Sequence, residues 1–185
     1  MEIKNIYKSF GDKVVFNDFS IEIPEQKTTF LMGESGSGKT TLLRIIAGLD
    51  KEFKGEISKN FDRISCVFQE PRLFDALTVR QNLEIIENHS NMSIEEALSI
   101  VELEDEQASY PSELSGGMKM RLSLARALIY NGDIFLMDEP FSALDENMKK
   151  RIIPRVFDFL KNKTTIIISH NQDEASTYAN HIINL

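Results

Sequence analysis

The sequence predicts an α/β protein with a mostly parallel sheet, an antiparallel β subdomain at the N-terminus and a helical insertion lobe. Short apolar segments alternate with segments of helical periodicity, which is typical of parallel sheets. Residues 72–130 interrupt this alternation with mostly helical signals. At 185 residues, 42% of them hydrophobic and 27% charged, the chain is expected to form one globular domain. We therefore expect a single domain over 1–185, with its core in 1–71 and 131–185 and its helical lobe in 72–130.

Strands and one helix are predicted in the first third of the chain. Residues 2–23, around the turn "FGDK", are rich in β-branched and aromatic residues and predict a small antiparallel sheet. "TTFLM" (28–32) and "ISCVF" (64–68) predict buried strands. "TLLRIIAGL" (41–49) has apolar residues at helical spacing and predicts a helix that ends near Gly48.

The middle of the chain carries helix-capping signals. Thr78 could cap a helix over "VRQNLEIIE" (79–87), and Ser93 with Glu96 forms an S-x-x-E capping box ahead of "ALSIV". "EQASYPSE" is expected to be a loop. "LSGGMKMRLSLARAL" (114–128) then opens with a Ser-Gly-Gly turn and continues as a basic amphipathic helix.

The last third returns to alternating strands and helices. "DIFLMDEP" (133–140) and "TTIIIS" (164–169) predict buried strands that end in polar residues. Pro154 falls inside the intervening helix and is expected to kink it or to reset its start. "HIINL" could add a last strand. The apolar face predicted for the intervening helix comprises Met148, Ile152, Val156 and Leu160.

The segment "GESGSGKT" lies between a predicted strand and a predicted helix and fits the P-loop pattern G-x-x-x-x-G-K-[ST]. Its glycines let the backbone wrap around phosphates, Lys39 can reach the β- and γ-phosphates, and the Thr40 hydroxyl can ligate Mg²⁺. The alternative is a flexible Gly-Ser turn beside a chance Lys-Thr pair, and the flanking strand and helix argue against it. The nucleotide-binding residues predicted here are Gly33, Glu34, Ser35, Gly36, Ser37, Gly38, Lys39, Thr40 and Thr41.

Polar residues follow three other predicted strands. Asp138 suits a hydrogen bond to the Mg²⁺ shell, and Glu139 suits polarising a water for attack on the γ-phosphate. His170 could hydrogen-bond the γ-phosphate, although without this context a satisfied edge histidine is the plainer interpretation. Gln69 follows "ISCVF" and could touch Mg²⁺ and water. Because α/β sheets bind ligands at the carboxyl ends of their strands, the sequence predicts an ATP and Mg²⁺ site there.

Charge and cysteine content narrow the classes of partner and location. The formal net charge of −8 argues against binding nucleic acid through a broad basic face. The single cysteine, Cys66, permits no disulfide within the chain, favours a cytosolic location and is expected to be a small buried side chain. The N-terminus lacks a signal-like apolar core, and no apolar run approaches the roughly 18 residues of a membrane span.

Together these motifs resemble the ATP-binding cassette (ABC) ATPases, in family order and over nearly the whole chain. "LSGGM" (114–118) resembles the family signature, and "SALD" (142–145) resembles the D-loop. "FLMDEP" resembles the acidic strand motif, "ISHNQDEA" the switch-histidine segment, and Gln69 the Q-loop glutamine. Phe10 resembles the aromatic residue that stacks on adenine, with Tyr7 as a rival.

The resemblance implies a P-loop NTPase (RecA-like) core, ATP and Mg²⁺ as cofactors, and a head-to-tail homodimer formed on ATP binding. In such a dimer, Ser115, Gly116 and Gly117 of one subunit complete the ATP site of the other. The remaining roles that the resemblance implies are catalytic for Lys39, Glu139 and His170, metal-binding for Thr40, Gln69 and Asp138, and D-loop for Asp145.

The resemblance also indicates a branch of the family. Met118 stands where glutamine is commoner, and "VFQEPRLFDALTVRQNL" (67–83) is similar to importer subunits for nitrate, sulfonates and taurine. This implies an ATP-hydrolysing importer subunit for small organic or inorganic anions, peripheral on the cytoplasmic face of the membrane. Its partners would be permease subunits and, indirectly, an extracytoplasmic solute-binding protein. The alternatives are a soluble ABC ATPase of translation, repair or cofactor assembly, and a nucleotide-binding regulator without turnover.

Overall fold

The computed structural model describes residues 1–59, 61–86 and 89–185. The strands are β1 (Glu2–Phe10), β2 (Lys13–Glu22), β3 (Thr28–Met32), β4 (Lys54–Ile57), β5 (Ile64–Val67), β6 (Ile134–Asp138), β7 (Thr164–Ile168) and β8 (His181–Asn184). The helices are α1 (Lys39–Ile46), α2 (Val79–Glu84), α3 (Ile94–Ile100), α4 (Gly116–Tyr130), α5 (Glu146–Leu160) and α6 (Gln172–Tyr178). Short 3₁₀ turns occupy Glu104–Glu106 and Pro111–Glu113.

A five-stranded parallel sheet forms the centre of the fold, in the order β5-β6-β7-β3-β8. β3, β6 and β7 are buried along their whole length, which explains why each is a mostly apolar run instead of an alternating one. Successive residues pack into cores on opposite faces: Phe30 and Phe135 on one, Leu31 and Leu136 on the other. The predicted α/β fold with a mostly parallel sheet is confirmed, and the carboxyl ends of these strands share one edge.

β1, β2 and β4 form a separate antiparallel sheet in the order β2-β1-β4. The predicted hairpin is present and turns at Gly11, whose φ of +56° lies in the left-handed region that glycine favours. β4 is an addition to the prediction, since its sequence KGEI contains one apolar residue. It is held by pairing with β1, where Ile3 lies opposite Ile57 and Lys4 lies opposite Glu56.

α2 and α3 begin at the predicted caps, Thr78 and Ser93, and both capping boxes are complete. α2 ends at Glu84, before the predicted end, and Glu87 lies outside the described residues. The predicted loop "EQASYPSE" includes parts of the two 3₁₀ turns. α4 begins after Ser115, as predicted for a Ser-capped helix.

α5 corrects the expectation for Pro154. The helix begins at Glu146 and runs through the proline to Leu160, so the predicted reset of its start is wrong. The Asp145 carboxylate fixes the start, because its Oδ1 accepts the backbone N–H groups of Asn147 and Met148 at 3.0 and 2.9 Å. The predicted apolar face packs into the core through Ile152, Val156 and Leu160, with Met148 partly buried beside them.

Cys66 on β5 is half-buried, so the expectation of a buried side chain is wrong in degree. Burial still raises the pKa of its thiol to about 11, which keeps the thiol protonated at neutral pH. None of the described helices is long and apolar enough to cross a membrane.

Candidate active site

The loop between β3 and α1 depends on glycine. Gly33, Gly36 and Gly38 have φ angles of +138°, +84° and +101°, which other residues rarely adopt. At Gly38, a Cβ atom would also come within 2.8 Å of the Phe16 ring on β2. The backbone path of this loop therefore requires glycine at these three positions. The path leads directly into the positive N-terminal end of α1.

Lys39, the first residue of α1, points back into this loop. Its buried Nζ donates to the carbonyl oxygens of Gly33 and Glu34 at 2.9 and 2.7 Å, and to Ser37 Oγ at 3.5 Å. A buried ammonium requires such acceptors. Phosphate oxygens are stronger acceptors because they are charged, so the loop places a cation where an anion would bind.

Thr40 and Asp138 form the part of the site that fits a divalent cation. Thr40 Oγ1 donates to Asp138 Oδ2 at 2.7 Å, and Asp138 is buried at the end of β6. Hydroxyl and carboxylate oxygens suit Mg²⁺, which commonly binds one or two carboxylates together with substrate phosphates. Within the described part of the chain, no cluster of three or more His, Cys, Asp or Glu residues could hold a metal. The Thr40 and Asp138 oxygens fit an Mg²⁺ ion whose other ligands are phosphate and water.

Glu139 and His170 face each other at the ends of β6 and β7. Glu139 Oε1 lies 3.5 Å from His170 Nε2 and is buried without a hydrogen-bond partner among the described residues. Burial raises the pKa of the Glu139 carboxyl, the His170 imidazole opposes this shift, and Asp138 adds to it. A carboxyl with a raised pKa and an unpaired oxygen in a cleft is typical of a general base.

These groups line one cavity of about 510 Å³ at the carboxyl edge of the parallel sheet. Of the two aromatic candidates, Phe10 lines this cavity, whereas Tyr7 lies in a different depression on the antiparallel sheet. Gly33 and Glu34 border a neighbouring depression that His170 also lines. The predicted site residues that line the cavity are Phe10, Ser35, Gly36, Gly38, Lys39, Thr40, Thr41, Gln69, Asp138, Glu139 and His170.

The cavity also contains residues that the sequence interpretation missed. Lys13 and Val15 of β2 line it, and no motif marks them, since only the folding of the hairpin brings them there. Ser142 lines it as well, and its Oγ donates to the carbonyl oxygen of Glu139 at 2.9 Å. Ser142 belongs to the "SALD" segment, so its proximity to the acidic strand motif was a usable signal.

The cavity lining does not include the signature residues Ser115, Gly116 and Gly117 or Asp145 of the D-loop segment. Ser115 Oγ accepts the backbone N–H of Met118 at 3.3 Å and caps α4. Gly117 packs closely on the segment before Asp145, because a Cβ atom there would lie 2.9 Å from the Ala143 carbonyl oxygen. The structure thus brings these two predicted motifs together, and of their residues Ser142 lines the cavity at the P-loop.

Comparison with known proteins gives a consistent result. A family model described as ABC transporter matches residues 16–142. The sulfate/thiosulfate import ATP-binding protein CysA of Synechocystis sp. is 38% identical over 201 residues, covering 98% of this chain and 56% of that relative. The aliphatic sulfonates import ATP-binding protein SsuB of Bacillus anthracis is 35% identical over 193 residues, covering 97% and 77%. The chain therefore spans little more than half the length of the CysA relatives that it matches.

Solved structures agree with the sequence relatives. The dimeric structure of MJ0796, a bacterial ABC transporter cassette, is similar with a TM-score of 0.86 at 30% identity, covering 100% of this chain and 93% of that one. A post-hydrolysis state of the same cassette bound to ADP and Pi gives a TM-score of 0.84 with the same identity and coverage. The predicted resemblance is confirmed, and the names of the relatives agree with the importer branch inferred from Met118.

Proposed function

This chain belongs to the ABC transporter family, and from that premise we propose that it is the ATP-hydrolysing subunit of an importer for small anions. The observation that carries the proposal is the meeting of Lys39, the Thr40–Asp138 pair and the Glu139–His170 pair in one cavity. Relatives named for import of sulfate, thiosulfate and aliphatic sulfonates support an oxyanion as cargo. Selection of that cargo would lie with the permease and the solute-binding protein.

ATP would lie along the cavity from the antiparallel sheet to the edge of the parallel sheet. Phe10 would stack on the adenine, because Phe10 lines the cavity whereas the rival aromatic Tyr7 does not. The loop from Gly33 to Thr41 would hold the phosphates through its backbone N–H groups and Lys39. Thr40, Gln69 and Asp138 would hold Mg²⁺, which supplies positive charge beside the β- and γ-phosphates.

The reacting end of the cavity would be organised by Glu139 and His170. Glu139 Oε1 would accept the proton of the attacking water, since this oxygen is buried and without a hydrogen bond. His170 would hydrogen-bond the γ-phosphate from the neighbouring strand end. Lys39 would offset the negative charge that spreads over the transferring phosphoryl group, and such electrostatic stabilisation is the main catalytic effect in phosphoryl transfer.

Hydrolysis would need a second copy of the chain. Ser115, Gly116, Gly117 and Asp145 do not line the cavity of their own subunit, which supports a role at the ATP held by a partner. Similarity to a dimeric cassette supports the same arrangement. Loss of the γ-phosphate would remove contacts that hold the two copies together, so the dimer would open after each turnover.

The proposed helical lobe, residues 72–130, would connect the dimer to the membrane. A groove beside β5 and α4 is lined by Phe68, Arg72 and Arg126, and Arg126 also donates a hydrogen bond to the carbonyl oxygen of Arg72. We assign this groove to a cytoplasmic helix of the permease. The subunit would then sit on the cytoplasmic face of the membrane, with the solute-binding protein acting through the permease.

Replacement of Glu139 tests the proposed function. Glu139→Gln should bind ATP with an affinity within about twofold of wild type, because the P-loop is intact, and should lose at least about a hundredfold of its turnover. It should also accumulate an ATP-bound dimer in size-exclusion chromatography. Glu56→Gln, the same change on exposed β4, is the control and should hydrolyse ATP normally. Normal hydrolysis by Glu139→Gln would refute the assignment of the base.

A further inference from the structure

His170 takes its position from the backbone that carries it. It follows the end of β7, and its side chain is 56% exposed. An exposed side chain has little packing to restrict it, yet its Nε2 must stay beside Glu139 and the cavity. The position of His170 therefore depends on the groups that hold the backbone on either side of it.

The carboxylate of Glu174 ties both neighbours of His170 together. Ser169 Oγ donates to Glu174 Oε2 at 3.1 Å, and Asn171 Nδ2 donates to Glu174 Oε1 at 3.2 Å. The backbone N–H of Asn171 in turn donates to Ser169 Oγ at 3.1 Å. These contacts form a ring that closes through the backbone N–H of Asn171. Ser169 is 3% exposed and Glu174 is 9% exposed, so the Ser169–Glu174 contact is largely shielded from water.

The orientation of the Asn171 amide follows from its other partners. Its Oδ1 accepts the backbone N–H groups of Asp173 and Glu174 at 2.9 and 3.2 Å. The NH₂ group must therefore face the Glu174 carboxylate as a donor.

Lys149 links the ring to another element. Its Nζ lies 3.7 Å from Glu174 Oε1 and 3.1 Å from Glu146 Oε1. The Glu174 carboxylate is buried and needs a counter-charge, whereas the Glu146 side chain is 78% exposed. Lys149 sits in the first turn of α5, which Asp145 caps, so the segment after the D-loop is tied to the segment of His170.

We propose that Glu174 is a positioning residue: it fixes the backbone on both sides of His170 and keeps the imidazole beside Glu139, with Lys149 anchoring the ring to α5. The kinetic consequence rests on the proposed ATPase function. The effect on the position of His170 does not depend on turnover.

A double-mutant cycle within the ring tests this role. Glu174→Gln presents an amide to two donors, and Ser169→Ala removes one of these donors. Each single variant should lower kcat, Glu174→Gln by about tenfold or more, with ATP affinity within about twofold of wild type. The double variant should lose no more than about twofold beyond Glu174→Gln alone, because both changes break the same contact.

Histidine resonances provide the second readout. In protein labelled with ¹³C-histidine, the His170 ring signal, assigned through His170→Ala, should move in both single variants and in the double variant. The signals of His89 and His181 should stay in place. Glu146→Gln, which removes the exposed partner of Lys149, is the control and should change neither kcat nor the His170 signal.

Three results would overturn the proposal: single variants with normal kcat and an unmoved His170 signal, a double variant whose loss of kcat is the product of the two single losses, or movement of all three histidine signals together. The last would show a general loss of structure instead of a local effect. If wild-type protein hydrolyses no ATP in the assembled transporter, the proposed function fails, and the His170 signal alone decides the role of Glu174.

Discussion

At the residue scale, the Glu139 carboxyl is held in a setting that disfavours its charged form. Its backbone φ is +50°, its Oε1 lacks a hydrogen-bond partner among the described residues, and burial raises its pKa above the ordinary 4.5. A group with a raised pKa binds its proton more tightly in the folded chain than in the unfolded one. Its stabilising contribution is therefore complete below a pH of about 4.5 and is lost as the pH rises through the raised value.

The raised pKa of Glu139 predicts how the stability of Glu139→Gln compares with that of wild type in the absence of nucleotide. Because glutamine stays neutral, the variant should melt at a higher temperature than wild type at pH 7, and the difference should shrink as the pH falls toward 4.5. Thermal melts of both proteins between pH 4.5 and 8 measure this. Glu56→Gln, on the exposed face of β4, should show no such trend. If Glu139→Gln melts at a lower temperature than wild type at pH 7, the raised pKa of Glu139 would be contradicted.

Most residues of the candidate site were predictable because their motifs are local. The P-loop, Asp138, Glu139 and His170 each lie at the end of a buried strand or within two residues of it, and parallel strands bring their ends to one edge. Glu174 was not singled out, although it lies in the quoted switch-histidine segment. Its contact with Ser169 exists only because Asn171 caps α6 and turns the chain back, and that geometry is not visible in the sequence.

At the scale of elements, Ser93 illustrates how a cap stabilises a short helix. Ser93 Oγ accepts the N–H of Glu96 at 3.1 Å, and Glu96 Oε2 accepts the N–H of Ser93 at 2.8 Å. Ser93→Ala should therefore lower the free energy of unfolding by about 1 kcal/mol. Urea denaturation measures the change. ATP affinity should stay the same, because α3 does not line the cavity.

Ser99, an exposed residue in the last turn of the same helix, is the control. Alanine is a better helix former than serine, so Ser99→Ala should be neutral or slightly stabilising. Equal losses for the two substitutions would show that the cap is not what stabilises α3.

Elements with local signals were predicted, and those that depend on distant partners were not. The predicted cap Thr78 and the predicted capping box of Ser93 and Glu96 gave the starts of α2 and α3 correctly. β4 has four residues and one apolar side chain, and it is held by β1, a partner far away in the sequence. For α5, the cap at Asp145 and the buried face outweigh the local preference of Pro154, which costs one hydrogen bond within the helix.

At the scale of the whole molecule, the fold separates the two proposed anion-binding motifs of the chain. The P-loop lies at the cavity together with Glu139, whereas Ser115 caps α4 outside it. The motifs themselves give no distance, so only the arrangement of elements can show that the signature does not serve its own cavity. The proposed dimer assigns each signature to the ATP of the other copy, in the manner of an isologous two-fold pair.

Two inactive variants test this division of the site. Ser115→Arg should bind ATP in the monomer as wild type does, because Ser115 lies outside the cavity, and should not hydrolyse it. Lys39→Ala should lose ATP binding, since it removes the ammonium from the loop. In an equal mixture, about half of the dimers would contain one copy of each and would have one intact site, so about a quarter of wild-type hydrolysis should return. Loss of monomer ATP binding in Ser115→Arg, or a mixture that stays inactive, would show that the signature does not act on the partner's nucleotide.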